Sequence, residues 1–187
     1  MTVALTPLAG GQANAQAEAG RVENVRGQVV GELGSPPREL VPEAPVFVQE
    51  RVSTGPNSAI GLRLGRSTQL RLGENARITL DRFLVDAGGV ITLDAGPMLL
   101  DRTPGLKPIQ IRSAFGMISV RGTQIFAGPS QGVFGVFVIR GQVDVTANRR
   151  RVILTAGQGT NLQAGAPPTP PARWSARRVN QALASVN

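Results

Sequence analysis

Three consecutive arginines, Arg149, Arg150 and Arg151, and a further pair, Arg177 and Arg178, are the densest concentration of chemistry in this chain. A guanidinium is planar, permanently charged and forked, which suits carboxylate and phosphate. Residues 103–187 carry ten basic residues against a single acid, Asp144, whereas residues 1–102 carry ten arginines and eleven acids. The C-terminal half is therefore expected to offer a surface to an acidic partner or a polyanion. The alternative is a solvated face that serves solubility. Three adjacent arginines cannot all point inward, because only Asp144 is near enough in sequence to neutralise one of them. They are expected at an exposed turn.

Other chemistry is sparse. The chain has no His, Cys or Tyr. That removes the usual general base, the thiol nucleophile and most transition-metal ligands. Asp81, Asp86, Asp94 and Asp101 recur at intervals of five to eight. Such carboxylates could line one sheet edge and hold Ca²⁺, but no Gly-rich nonapeptide pattern accompanies them, and turn capping accounts for them better. Gly157-Gln158-Gly159 lacks the third glycine and the helix of a dinucleotide loop. No carboxylate pair is singled out for glycoside chemistry. An aromatic content of 4% leaves little platform for stacking sugars or bases. No enzymatic activity, cofactor, metal or specific nucleic-acid ligand is expected.

The elements that must position these arginines are strands. Gly and Pro together make up about a fifth of the chain, which fits many turns rather than long helices. Ile60, Leu62 and Leu64 alternate with Gly61 and Arg63; Leu70 and Leu72 flank Arg71; Ile78 and Leu80 flank Thr79. Period-two alternation puts the apolar side chains on one face. Residues 65–67 and 73–75 have turn chemistry. Residues 133–139 are apolar on both faces, which predicts the most buried strand. Val143 and Val145 pair with Val152 and Leu154 as a hairpin through a turn at residues 147–150. Roughly a dozen strands at this spacing predict an all-β fold, a two-sheet sandwich or a solenoid-like roll, with a barrel as the other option.

Residues 164–171 form a Pro-rich linker. Ser175 is placed to cap a short helix over residues 176–185, with Val179, Ala182, Leu183 and Val186 on one face. That tail either frays or docks through Trp174 and Leu183. At the other terminus, Ala15-x-Ala17 is a pattern that a signal peptidase accepts, although no Lys or Arg precedes Arg21. Residues 1–19 are thus a signal-peptide remnant or a disordered arm, residues 20–163 the β-domain, and residues 164–187 linker and tail. No apolar run approaches the ~20 residues of a membrane helix, so no transmembrane segment is expected.

The motifs resemble those of the FecR-like domain family of bacterial envelope proteins. Val25-Arg26-Gly27-Gln28-Val29 matches its opening element, and Val52-Ser53-Thr54-Gly55-Pro56-Asn57-Ser58-Ala59 the next. The hallmark is matched by residues 115–125, with Val120, Arg121, Gly122 and Thr123 at its centre and Ile125 where Phe is usual. A closing strand around Gly141 and an Ala-Gly-Gln element at Gly157 complete the resemblance. It implies an exported, periplasmic or extracellular β-module that binds or regulates. The partner implied is an envelope protein; the alternative is an adhesin-like domain attached to an anionic envelope polymer through its basic surface.

The hallmark also has a physical reading. An isolated glycine within a strand marks a bulge or a close backbone approach, so Gly122 is expected at positive φ in a bulge. Arg121 would face away from Val120, with Asp144 or Asp101 as its carboxylate, and Thr123 would hydrogen-bond the bulged backbone.

Overall fold

The computed structural model describes residues 16–34, 36–84 and 88–187, apart from the side chains of Phe83 and Leu84. Residues 1–15 of the proposed signal segment, residues 1–19, lie outside that description, as does Asp86, while Glu18 and Ala19 already belong to the first strand. The chain begins with β1 (Glu18–Arg26), β2 (Val29–Glu32), β3 (Arg38–Glu39), β4 (Pro45–Phe47) and β5 (Arg51–Thr54). It continues through β6 (Ala59–Leu64), β7 (Thr68–Leu72), β8 (Arg77–Leu84), β9 (Gly88–Ala95), β10 (Met98–Arg102), β11 (Ile109–Ser113) and β12 (Gly116–Val120). The last strands are β13 (Gln124–Ser130), β14 (Val133–Arg140), β15 (Gln142–Ala147), β16 (Arg150–Thr155), β17 (Gln158–Leu162) and β18 (Ala172–Arg173), followed by α1 (Ala176–Ala184).

These strands form two nine-stranded sheets. The first runs β18-β17-β14-β13-β10-β7-β6-β1-β4 and the second β16-β15-β12-β11-β9-β8-β5-β2-β3. From β6 onward the chain visits the sheets alternately, two strands at a time, so the fold is at once a two-sheet sandwich and a solenoid-like roll. β10 breaks the rhythm by crossing its sheet singly. β9 and β11, on either side of it in sequence, therefore enter the second sheet in the same direction, and they form the parallel pair. The other described strand pairs are antiparallel. The single pass also moves the crossings between sheets. Apart from the β4–β5 crossing at residues 48–50, those before β10 lie at one end of the sandwich, around Gly27, Gly55, Gly73 and Gly96. After it they lie at the opposite end, around Gly122, Gly141 and Gly157.

The core between the sheets is aliphatic. Leu62, Leu70, Ile78, Ile91, Leu100, Ile111, Ile118, Val136 and Val145 are among the side chains fully withdrawn from water there. Each comes from the inward face of an alternating strand, as the period-two pattern requires. β14 carries a second apolar face. Phe134, Val136 and Val138 point into the sandwich, whereas Phe137 and Ile139 point out and are covered by the C-terminal segment.

That segment docks. Ser175 caps α1 by accepting a hydrogen bond from the Arg178 N–H at 3.3 Å, which satisfies one of the unpaired donors of the first turn. The docking face carries Val179, Ala182 and Val186, which pack with Trp174 against Leu99, Phe126, Phe137 and Ile139. Leu183, expected to be an anchor, is only half-buried and lies outside this cluster. The anchor is Trp174, stacked on Phe137 with ring centroids 5.0 Å apart. Two glycines clear the floor beneath its indole. A Cβ at Gly135 would lie 2.7 Å from the ring and one at Gly159 would lie 2.3 Å from it. Trp174→Ala is expected to destabilise the protein by about 3 kcal/mol, at the lower end for Trp because the ring is only half-buried. Hydrogen exchange should then show α1 losing protection while the strands of the second sheet keep theirs.

Candidate functional site

Val120 ends β12 and is buried in the core, whereas Arg121, Gly122, Thr123, Gly141 and Gly157 sit at the crossings rather than inside a strand. Gly122 lies between β12 and β13, at the corner where the chain passes from the second sheet to the first, with φ +64°. The expected strand bulge is thus a corner. The left-handed conformation is as expected, but its cause is the change of sheet. A Cβ on Gly122 would stand 2.4 Å from Pro104 Cα, so the backbone of the preceding connection also requires glycine. Thr123 is fully buried. Its Oγ1 lies 3.1 Å from the Arg121 carbonyl and 2.9 Å from the Gln142 carbonyl, ready to donate to either. One hydroxyl thereby joins two neighbouring corners.

The two Arg-Gly-Gln-Val segments, residues 26–29 and 140–143, occupy equivalent places. Gly27 and Gly141, at φ +72° and +87°, both turn the chain from the first sheet into the second. Each is followed by a glutamine whose backbone meets a hydroxyl from an adjacent corner. The Gln28 N–H donates to Ser58 Oγ at 2.9 Å, and the Gln142 carbonyl faces Thr123 Oγ1. Gly157 makes the last crossing at φ +82°, and its N–H donates to the Val138 carbonyl at 2.8 Å.

Beyond these corners, the outer face of the second sheet gathers the arginines. Directly paired residues share a face. Arg112 pairs with Met117, Met117 with Thr146, and Thr146 with Arg151, which places both arginines on one side of the sheet. The adjacent row runs Gln110, Ser119, Asp144, Ile153. Arg121 extends from the end of β12 beside these rows. Ser119, Arg121, Gln142, Val143, Asp144 and Arg151 line an open, polar cleft of about 470 Å³.

Arg121 makes neither of the ion pairs expected for it. Asp144 is taken by Arg151, with Nη2 2.7 Å and Nε 3.1 Å from Oδ1. Asp101 is taken by Arg140 at 2.7 Å. Register decides this, because the hairpin turn brings Arg151 beside Asp144 across β15 and β16. Asp81 accepts from Thr92 Oγ1.

The arginine cluster divides. Arg149 occupies the second position of the β15–β16 turn at φ +60°, after Asn148 at +43°; both Arg149 and Arg150 are exposed. Arg177 is exposed on α1. Arg178 is turned inward and engaged. Its guanidinium carbon lies 3.6 Å from the Trp174 ring centroid, Nε donates to Ser130 Oγ at 2.9 Å and Nη2 to Asn161 Oδ1 at 2.7 Å. Burial lowers its pKa, and these contacts offset the desolvation. Its geometry is that of a staple for α1, and the sequence offered the Trp174–Arg178 spacing of four as the signal.

Two stacked sheets joined at glycine corners, with arginines on the outer face of the second, define an all-β module. The chain belongs to the FecR protein family, whose pattern matches residues 50–144, just over half of the chain. Two solved structures of a Parabacteroides distasonis ATCC 8503 protein assigned as an anti-sigma factor share the fold. Each is 15% identical with a TM-score of 0.59, and the matches cover 71% of this chain and 64% and 63% of the two solved chains. This chain therefore spans less than two thirds of that protein, and at this identity the likeness is one of fold. No curated protein matches the sequence. No helix among the described residues is long and apolar enough to cross a membrane.

Proposed function

We propose that this module works outside the cytoplasm as a non-catalytic regulatory domain, recognising an envelope protein through the outer face of its second sheet. The observation that carries the reading is the arginine surface. Arg112 and Arg121 are exposed on this face with Arg151, which lines the polar cleft with Arg121, on the half of the chain whose one acid, Asp144, is already paired; Arg149 and Arg150 are exposed at the adjoining turn. Such a face presents preformed forks to carboxylates at small entropic cost, because the strands beneath are rigid. Affinity purification from envelope extract, with Arg121→Ser as the control, tests it. One defined protein lost with the variant supports the reading; equal capture by both removes this face from it. Export is tested separately by sequencing the N-terminus of the native protein, which should begin at Glu18. An intact Met1 would defeat export by cleavage.

The second reading, attachment to an anionic envelope polymer, draws on the same arginines. Replacing Arg149, Arg150 and Arg151 by Ser is expected to leave the fold intact. Retention on lipopolysaccharide or heparin-like resin should fall about tenfold, since three exposed charges contribute roughly 0.2–1 kcal/mol each. Elution by salt should move to lower ionic strength, as exposed charges are screened over ~8 Å at physiological ionic strength. Unmoved elution would return the cluster to a solvated turn.

A further inference from the structure

Three of the four sheet edges are closed. The first sheet ends in β18, of two residues, and β4, of three; the second ends at one side in β3, of two residues. Their flanks are sealed as well. Asn161 N–H donates to Thr169 Oγ1 and Thr169 N–H to the Asn161 carbonyl beside β17, Ala44 and Ala17 carbonyls accept from Val22 and Val48 beside β1, and Leu40 N–H donates to Val29 beside β2. The fourth edge is β16, of six residues, and nothing among the described residues pairs with its outer side. Native folds blunt their edges with very short strands, so a long open one calls for a reason.

The backbone groups that β16 leaves open follow from its turn. Asn148 and Arg149 form a two-residue loop with both φ positive, the type I′ hairpin geometry. The flanking pair Ala147 and Arg150 then exchanges both hydrogen bonds, as do Val145 with Val152 and Val143 with Leu154. The N–H and C=O groups of Arg151 and Ile153 therefore point away from the sheet. The Thr155 N–H is already given to Gln158 Oε1 at 3.0 Å. Ile153 is 46% exposed, one of two large hydrophobic side chains so exposed among the described residues. Arg149, Arg150 and Arg151 crowd the start of the strand.

We infer that β16 is a receptor edge for strand addition, and that its occupant is an extended acidic segment of a partner protein alternating carboxylate and apolar side chains. Backbone hydrogen bonds to Arg151 and Ile153 would supply the docking. The arginines would select the acidic strand, while like charge would repel β16 of a second copy. The Arg151–Asp144 pair does not stand in the way, because it is exposed and an incoming carboxylate can exchange with it. The inference deepens the protein-binding reading and rests on it.

The test uses the full chain, isotope-labelled, with ten-residue synthetic peptides alternating Glu and Val at millimolar concentration. Amide exchange at Arg151 and Ile153 is expected to slow at least about tenfold. Of two peptides N-methylated on the two alternate sets of backbone nitrogens, one should lose the effect and the other keep it. Ile153→Pro removes an N–H that faces outward, so it should spare the β15 ladder and abolish the slowing. If that variant fails to fold, the N-methylated pair on the parent chain still decides. Equal action by both N-methylated peptides would show that charge alone holds them and would overturn the inference, as would no slowing at all. Protection that rises with protein concentration in the absence of peptide would assign the edge to a second copy instead. An envelope protein that binds parent and Ile153→Pro alike would leave the protein-binding reading standing and remove β16 from it.

Discussion

Glu50→Ala is expected to destabilise the protein by about 3–5 kcal/mol, the range for removing one partner of a buried ion pair. Glu50 is fully buried, the most enclosed charge at the N-terminal end of the sandwich. Its carboxylate accepts from Arg38 Nη2 at 2.8 and 3.1 Å and from the Phe47 N–H at 2.8 Å. Arg38 Nη2 also donates to the Pro45 carbonyl, and its guanidinium carbon lies 5.5 Å from the centre of the Phe47 ring. One carboxylate therefore ties β3 and β4, the edge strands of two different sheets, to the start of β5. Gly31 belongs to the same lock, because a Cβ there would lie 2.2 Å from Glu50 Oε1. Removing the carboxylate leaves the Phe47 N–H without its acceptor and Arg38 without its counter-charge. Glu50→Gln should cost less, about 1–3 kcal/mol, since the amide oxygen can keep one hydrogen bond and the Arg38 side chain, 35% exposed, can turn toward water. Urea denaturation measures both. A Glu50→Ala loss below about 1 kcal/mol would mean that the edge strands are held by other contacts.

This lock was not legible in the sequence. Arg38 and Glu50 are twelve residues apart across a proline-rich loop, and neither belongs to a periodic pattern that would mark it as buried. Periodicity was legible where one physical rule dominates. The alternation at Ile60, Leu62 and Leu64 could bury only one face, and the two apolar faces of residues 133–139 required two covers. The structure supplies the second sheet for one and the C-terminal segment for the other. Ser175 was legible as a cap because the first turn of a helix needs an acceptor. Pairing order was not, since the single pass of β10 is a matter of how sheets exchange strands and leaves no local trace. The partners of Arg121 were missed for a related reason. Which arginine reaches Asp144 depends on hairpin register, and the two-residue turn at Asn148 and Arg149 awards it to Arg151. Arg178 read as a free cation because charge suggests solvent, whereas the neighbouring indole face, one hydroxyl and one amide oxygen hold it inside.

Gly122→Val should be the most damaging change at the hallmark, with an expected loss of about 3–5 kcal/mol. Two independent costs combine. A side chain at φ +64° brings its Cβ against the following carbonyl, roughly 1–2 kcal/mol and more for a β-branched residue. The same Cβ would stand 2.4 Å from Pro104 Cα, which is backbone and cannot swing aside, adding roughly 1–3 kcal/mol of overpacking. Gly122→Ala pays the backbone term and most of the clash but escapes the branching, so it should fall between parent and Val. The corner is coupled to its neighbour through Thr123, whose hydroxyl reaches the carbonyls of Arg121 and Gln142. Thr123→Val keeps the shape and loses the hydroxyl, at about 1–2 kcal/mol. If Val at position 122 displaces the corner, that hydroxyl contact is already broken in the single variant. The double variant should then lose less than the sum of the two, by about 0.5–1.5 kcal/mol in a double-mutant cycle read from urea midpoints. Strict additivity would show that the Thr123 hydroxyl survives the displacement, and that the two corners move independently. An unchanged midpoint for Gly122→Val itself would mean that the connection carrying Pro104 yields freely. The Arg-Gly-Thr corner would then owe its glycine to something other than the meeting of two backbones.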